Sequence, residues 1–464
     1  MSAQVLRPYQ SNAMEQVRER LRANVRRILL VAPTGSGKTS VAAAIIDGAR
    51  AKGGAVLFLA HRRELIDQCS ARLDGAGVDH GVIQAGHPRS LPGLPVQVAS
   101  VQTLARRGLR PRATLIIVDE AHHARANTYE EILSRYGPDV PVLGLSATPW
   151  RLDGRGLGEM FQEVVVAARV RELIEQGHLV SYTGFAYDTP DLAQVRKTGA
   201  DYNERGLELV MDGSKLAGNI VEQWLAHANG LRTVVFAVSI AHSMHLVERF
   251  RAAGVAAEHI DGEMPQGERT AILARLASGT TTVVSNVNVL TEGWDLPQLE
   301  VCVLARPTLS VGLYLQMVGR CLRPAPGKAI ARIHDHAGNI LAHGAPDADR
   351  DYSLDEDKPK ANALPALRTC PDCFALYTGT SCPNCAHEDP VGIGEPRELP
   401  TESTEQVRAI PLEELRGQLH FPDAERDSYL NELLKTAAER GYKAGWAAHR
   451  FKSRYGHWPA RRIA

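Results

Sequence analysis

Directly after the apolar run Ile28–Ala32 the chain reads Ala-Pro-Thr-Gly-Ser-Gly-Lys-Thr, from Ala32 to Thr39. A strand-sized apolar run, a glycine-rich turn and then a stretch of helical length admit few architectures. Gly35 and Gly37 permit a tight loop whose backbone N–H groups point at phosphate oxygens, and the helix that follows adds the positive end of its dipole. In such a loop, completed here by Pro33, Thr34 and Ser36, Lys38 bridges the β and γ phosphates and the Thr39 hydroxyl holds Mg²⁺. Ala32 stands where the pattern usually has glycine.

A second element follows about 80 residues later. Leu115–Val118 is an apolar run ending in Asp119 and Glu120, at the carboxyl edge where α/β sheets place ligands. Asp119 is expected to meet Mg²⁺ through water, and Glu120 to polarise an attacking water. Further apolar runs, Val56–Ala60 and Val142–Leu145, alternate with helical lengths. A second series repeats the pattern at Thr233–Val238, Thr281–Val284, Val301–Leu304 and Ala329–Ile333. Buried parallel strands have this appearance.

A chain of 464 residues is too long for one core. The expected fold is α/β: two tandem P-loop NTPase lobes with parallel sheets, then a small metal-binding ribbon and a C-terminal helical segment. The first lobe is placed at residues 1–171 and the second at 213–346, joined by a polar connector, 172–212, that Gly177, Pro190, Gly199 and Gly206 interrupt. An acidic linker at 347–368, a cysteine module at 369–389, a Pro-rich linker at 390–409 and a basic aromatic segment at 410–464 follow.

Lys plus Arg and Asp plus Glu both number 53, so affinity for a polyanion has to come from local patches. The N-terminus lacks a secretory pattern and no apolar run approaches bilayer length, so the expected compartment is the cytoplasm. Four of the seven cysteines, Cys370, Cys373, Cys382 and Cys385, form C-x2-C-x8-C-x2-C. Two tight knuckles supplying four thiolates fit structural Zn²⁺, with an iron–sulfur cluster or disulfides as alternatives. From Lys435 to Ala464 there are eight Lys or Arg against one acid, interleaved with Tyr442, Trp446, Phe451, Tyr455 and Trp458. That stripe suits either a nucleic-acid surface or a small packed core.

Asp-Glu-Ala-His at Asp119–His122, Ser-Ala-Thr at Ser146–Thr148 and Gln-Met-Val-Gly-Arg-Cys-Leu-Arg at Gln316–Arg323 occur in the order of superfamily 2 DEAD/DEAH-type helicases. The chain resembles that family, whose lobes are RecA-like, over roughly its first 340 residues. On a helix, Gln316, Arg320 and Arg323 share one face, so all three are expected to meet one phosphate as catalytic residues; the resemblance implies that the arginines reach across the interlobe cleft to the γ-phosphoryl. It further implies that Gly293 and Asp295, within Thr291–Asp295, sense the nucleotide. By the same carry-over Gln10 of Arg7-Pro8-Tyr9-Gln10 reads the adenine edge with Arg7 beside it, and His122, Ser146 and Thr148 couple the nucleotide state to a track. Arg62, Gln102 and Thr103 would meet a phosphodiester backbone. Such contacts carry little sequence preference.

A narrower resemblance, carried by Arg332–Asn339 and the cysteine module, is to RadD-like bacterial and prophage helicases, and it implies DNA metabolism or repair. The expected activity is Mg-ATP hydrolysis driving movement on single- or double-stranded DNA. Alternatives are an RNA-directed remodeller, and a zinc-dependent nucleic-acid binding protein that uses the ATPase as a switch.

Overall fold

The computed structural model describes residues 6–123, 126–187, 189–193, 195–199, 201–212, 214–355, 367–388, 430–431 and 434–435. The chain forms two compact units, Met1–Gly392 and Ile393–Ala464. The Pro-rich linker at 390–409 and the aromatic stripe from Tyr442 to Trp458 lie outside the described residues.

Unit 1 contains both expected sheets. In the first, β1 (Arg27–Val31), β2 (Val56–Ala60), β3 (Gly81–Ile83), β4 (Val96–Ser100), β5 (Leu115–Val118), β6 (Val142–Ser146) and β7 (Glu163–Val166) run in the order β3-β4-β2-β5-β6-β1-β7. Every neighbouring pair is parallel. Strands buried on both faces need no polar alternation, which is why β1, β2 and β5 read as continuous apolar runs. The register sets Val31 beside Ser146 and Val118 beside Gly144. The carboxyl ends of β1, β5 and β6 therefore deliver the glycine loop, Asp119–Glu120 and Ser146–Thr148 to one edge.

The second sheet joins β8 (Ser181–Ala186) to β11 (Thr233–Ala237), β12 (Ala257–Ile260), β13 (Val283–Asn286), β14 (Val301–Ala305) and β15 (Ile330–Asp335) in the order β12-β13-β11-β14-β15-β8. It too is parallel throughout. Its core includes Trp224 packed edge-on to Phe250, with centroids 5.4 Å apart. A short hairpin, β9 (Lys197–Thr198) with β10 (Asp201–Tyr202), lies between β8 and β11.

Two expected linkers turn out to be built structure. β8 falls inside the segment read as a polar connector, yet it is the edge strand of the second sheet, paired with β15 from Ser181–Ile330 to Ala186–Asp335. Its sequence, Ser-Tyr-Thr-Gly-Phe-Ala, lacks the unbroken apolar run of the central strands because an edge is covered less. The described part of the acidic linker, 347–355, crosses back onto the first lobe: the Gly158 N–H donates to the Leu354 carbonyl at 3.1 Å, Tyr352 packs on Trp150 with ring centroids 5.8 Å apart, and Asp349 meets Arg169 at 3.2 Å. Asp347 likewise meets Arg171 at 3.4 Å, so two of its acids pair with basic residues of the body.

The cysteine module contains β16 (Arg368–Thr369) paired with β17 (Leu376–Tyr377). Ala375 forms an antiparallel bridge with Phe185, and the Ala186 N–H donates to the Phe374 carbonyl at 3.0 Å. The module thereby covers the otherwise open edge of β8, where unpaired backbone would invite other strands. Among the described residues no helix is long and apolar enough to cross a membrane.

Candidate active site

Between the lobes lies a cavity of about 880 Å³. From the first lobe it takes Arg7, Gln10, Thr34, Gly35, Gly37, Lys38, Thr39, Asp119 and Glu120; from the second, Gly293, Asp295, Arg320 and Arg323. Five basic side chains, with Arg72 among them, line it against three acids, a balance that suits a polyanion carrying its own cation.

Gly35 at φ 87° and Gly37 at φ 82° hold left-handed backbone, which an L side chain adopts only at a cost. A Cβ on Gly37 would also lie 2.6 Å from Gln10 Nε2. The helix Lys38–Ala51 starts with Gly37 as its cap, so its first N–H groups face the cavity. Lys38 Nζ donates to the Ala32 carbonyl at 3.2 Å. Pro33 and Ser36 do not line this cavity: Pro33 borders a separate small apolar void, and the Ser36 carbonyl accepts from Tyr9 Oη at 2.6 Å and Gln10 Nε2 at 2.8 Å. Gln10 Oε1 also accepts the Arg7 N–H at 3.0 Å. Its amide is thus committed first to bracing the loop, although it borders the cavity as an adenine contact would.

Asp119 is buried, and burial together with the charge of Glu120 raises its carboxyl to about 7, against the pull of Lys38. A buried carboxylate and the Thr39 hydroxyl lining the same cavity fit a hard divalent cation with oxygen ligands, so Asp119 and Thr39 are the residues that would hold Mg²⁺. Glu120 sits at φ 45°, a strained conformation for a non-glycine residue, and its buried Oε2 accepts no hydrogen bond among the described residues, with His122 Nδ1 3.5 Å away. That oxygen is available to orient a water.

The second lobe corrects one expectation. The helix Val311–Val318 ends before either arginine, so Gln316, Arg320 and Arg323 do not share one helical face. Arg320 emerges from the turn after Gly319, buried, with Nε donating to the Thr291 carbonyl at 3.0 Å and Nη1 to the Trp294 carbonyl at 2.6 Å. Burial and the neighbouring Arg323 lower it to about 10, which leaves it charged at neutral pH. Arg323 pairs with Asp295. Both guanidiniums still line the cavity that the glycine loop lines.

Gln316 does not reach the cavity. Its Nε2 lies 2.7 Å from His122 Nε2, crossing from lobe to lobe, and His122 Nδ1 lies 3.1 Å from Ser146 Oγ. The Thr148 N–H donates to the same Ser146 Oγ at 3.3 Å, so the three expected couplers form one chain. The expected track residues lie close by but are engaged: Arg62 Nε is 3.6 Å from Glu292, Gln102 Nε2 donates to the His61 carbonyl at 2.9 Å, and the Thr103 N–H donates to Ser100 Oγ at 3.3 Å.

Sequence reading assigned nothing to Glu292, His61 or His123. Glu292 is 4% exposed and is ringed by His61 at 3.4 Å, His122 at 3.2 Å, His123 and Arg62, all from the first lobe. Burial alone would raise its carboxyl, but the imidazoles of His122, His123 and His61 around it outweigh that and hold it well below the usual range. Its place in Thr-Glu-Gly-Trp-Asp was visible; its partners, about 170 to 230 positions upstream, were not.

Far from the cleft, Cys370 Sγ is 3.5 Å from Cys385 Sγ and Cys373 Sγ is 3.7 Å from Cys382 Sγ. All four sulfurs lie within 4.8 Å of one another. Thiolates about 2.3 Å from a tetrahedral ion stand about 3.8 Å apart, so the cluster can hold one. Phe374 and Ala386, each just after a knuckle, have positive φ, and their N–H groups donate back to the Cys370 and Cys382 carbonyls at 2.9 Å.

Residues 4–151 match the family described as type III restriction enzyme, res subunit, and residues 217–325 match the helicase conserved C-terminal domain. A 51.5 kDa protein of a Lactococcus phage is 33% identical over 78% of this chain and 78% of its own length. IRC3 of Saccharomyces cerevisiae, described as an ATP-dependent helicase, is 33% identical over 73% of this chain, which spans 52% of that protein. In fold, the chain is similar to the ATP-dependent type ISP restriction-modification enzyme LlaBIII bound to DNA, at a TM-score of 0.55 and 21% identity, over 72% of this chain and 28% of that one. With two RecA-type lobes, the loop and carboxylates of one facing the arginines of the other, and these relatives, the chain belongs to the superfamily 2 DEAD/DEAH-type helicases, ATP hydrolases coupled to unwinding of or translocation on nucleic acid.

Proposed function

We propose that the protein hydrolyses Mg-ATP between its lobes to move along DNA, in repair or recombination and in the cytoplasm. The observation that carries this reading is the shared cavity, in which Lys38, Asp119 and Glu120 face Arg320 and Arg323. Lys38 and the loop amides would hold the β and γ phosphates, and Asp119 and Thr39 would hold a Mg²⁺ that offsets the nucleotide's charge. Glu120 orients a water in line with the γ-phosphorus. As the new P–O bond forms, the bond to ADP breaks and charge builds on the equatorial oxygens. Arg320 and Arg323 stabilise that charge only when the lobes are together, so hydrolysis and closure are tied.

DNA as the track is supported by the likeness to a restriction-modification enzyme bound to DNA and by the restriction-subunit match of the first lobe. Repair is supported by the RadD-like segments, Arg332–Asn339 and the cysteine module, whose four sulfurs would hold Zn²⁺. Arg62, Gln102 and Thr103 cluster at the carboxyl edge of the first sheet and are proposed to meet the backbone once their present bonds rearrange. Steady-state ATP turnover measured without polymer, with duplex DNA, with single-stranded DNA and with RNA tests the reading. Stimulation by DNA of at least roughly tenfold over RNA is expected; equal turnover in every case would remove the motor, and preference for RNA would replace the track.

A further inference from the structure

Glu292 is a buried carboxylate in the loop between β13 and β14, and every imidazole around it belongs to the other lobe. His61 follows β2, and His122 and His123 follow β5, one residue beyond the pair Asp119–Glu120. A buried carboxylate without such partners would be strongly destabilising, so its seat requires the lobes to be together. Arg62 places a guanidinium 3.6 Å from the same oxygen that His61 faces.

Thr291, just before Glu292, and Trp294, two residues after it, hold the arginine. The Thr291 carbonyl accepts from Arg320 Nε, and the Trp294 carbonyl accepts from Nη1 at 2.6 Å. The next residue, Gly293, is fastened to the first lobe as well: its carbonyl accepts from Gln68 Nε2 at 2.7 Å, and a Cβ there would stand 3.1 Å from Glu64 Cβ. On the opposite side, His122 links Glu292 to Ser146 and lies 3.5 Å from Glu120. One carboxylate thus touches the group beside the water-orienting glutamate and sits in the loop that aims the arginine.

We infer that Glu292 is a positioning residue: its seating among the first-lobe histidines is the latch that brings Arg320 into register with Glu120, so that hydrolysis proceeds only in the closed arrangement. Glu292 does not touch the nucleotide. It acts through Arg320 on one side and His122 on the other, and its removal leaves the phosphate loop intact. The inference rests on the ATPase reading of the cleft.

The test compares the parent with Glu292→Ala, Glu292→Gln and the pair His61→Ala with His123→Ala, each in the full chain. Thermal melts and the affinity for a fluorescent ATP analogue establish folding and binding. Lobe closure is read by energy transfer between dyes on the two lobes with ADP–beryllium fluoride. Glu292→Ala is expected to lower kcat by about 10²-fold, the loss typical of a catalytic group displaced by about 1 Å, while changing nucleotide affinity by less than roughly threefold. It should also lose the closure signal, and Glu292→Gln, which keeps shape and hydrogen bonding, should recover part of both. Adding Glu292→Ala to the double histidine variant should cost little more than either alone, because the groups act as one unit.

An unchanged kcat, a fall in nucleotide affinity that matches the fall in kcat, or fully additive losses would each overturn the latch. A parent without turnover, or with turnover that survives Lys38→Ala, would instead overturn the ATPase reading beneath it.

Discussion

Gly319 of the second lobe packs against Thr34 of the glycine loop so closely that a Cβ added to it would lie 2.6 Å from Thr34 Cβ. The contact sets the turn that carries Arg320 directly against the Thr34 side chain of the glycine loop, and the added Cβ would also lie 2.9 Å from the Leu315 carbonyl. Gly319→Ala is therefore expected to keep the lobes apart. Nucleotide binding, which the first lobe supplies, should stay within roughly threefold, while kcat should fall by about 10²-fold. A melting curve and a turnover assay on the same preparation separate this from misfolding.

Arg320 has its guanidinium buried and aimed by two carbonyls, those of Thr291 and Trp294. Arg320→Ala should cost on the order of 10³ in turnover with ATP binding retained, since the charge it meets develops in the transition state. Arg320→Lys is not expected to rescue, because one ammonium cannot serve both carbonyls and the phosphoryl. Normal turnover in Arg320→Ala would show that another group meets the phosphoryl.

Glu120 and Lys38 fail in different ways. Lys38→Ala removes the ammonium from the phosphates and should abolish both tight nucleotide binding and turnover. Glu120→Gln keeps the shape of the side chain and loses the oxygen that orients water, so ATP should bind and persist, with kcat lower by about 10²- to 10⁴-fold. Equilibrium binding beside single-turnover hydrolysis distinguishes the two.

Metal removal should act on the second sheet as well as on the cysteine module. The Ala186 N–H donates to the carbonyl of Phe374, one residue after a cysteine knuckle. Stripping the metal, or Cys373→Ser, is expected to release about one Zn²⁺ per chain and to speed amide exchange at Ala186 by roughly tenfold or more. Unaltered exchange at β8 after metal loss would show that the edge is held without the ribbon.

Glu258 accepts from Arg275 through Nε at 2.9 Å and Nη2 at 2.6 Å, and these bonds hold its carboxyl below the usual 4.5. A group depressed in the folded state stabilises fully above its unfolded value and loses that contribution as pH falls through its folded value. The Tm gap between the parent and Glu258→Gln should thus stay constant from pH 7 to about 5 and close below about 4.5. A gap that widened on acidification would contradict the assignment.

The apolar runs at β1, β2 and β5 were legible because a strand buried on both faces has to be apolar throughout, and that is a local property of the chain. Gly35 and Gly37 were legible for the same kind of reason, since only glycine takes left-handed backbone there without strain. The cysteine spacing was enough to bring four sulfurs within 4.8 Å of one another. β8 escaped notice because an edge strand beside a small ribbon carries Ser, Tyr, Thr and Gly.

By itself the sequence determined the glycine loop, the carboxylate pair, the class of both lobes and the four-sulfur cluster, each made by residues near one another along the chain. The tertiary structure decided the rest. It gave Gln316 to His122 instead of to the nucleotide, turned Arg62 toward Glu292, and ended a helix one turn short of placing three side chains on one face. These outcomes depend on how two separately folded sheets pack, and a side chain's partner across such an interface is set by shape and charge on a distant segment, which no local pattern encodes.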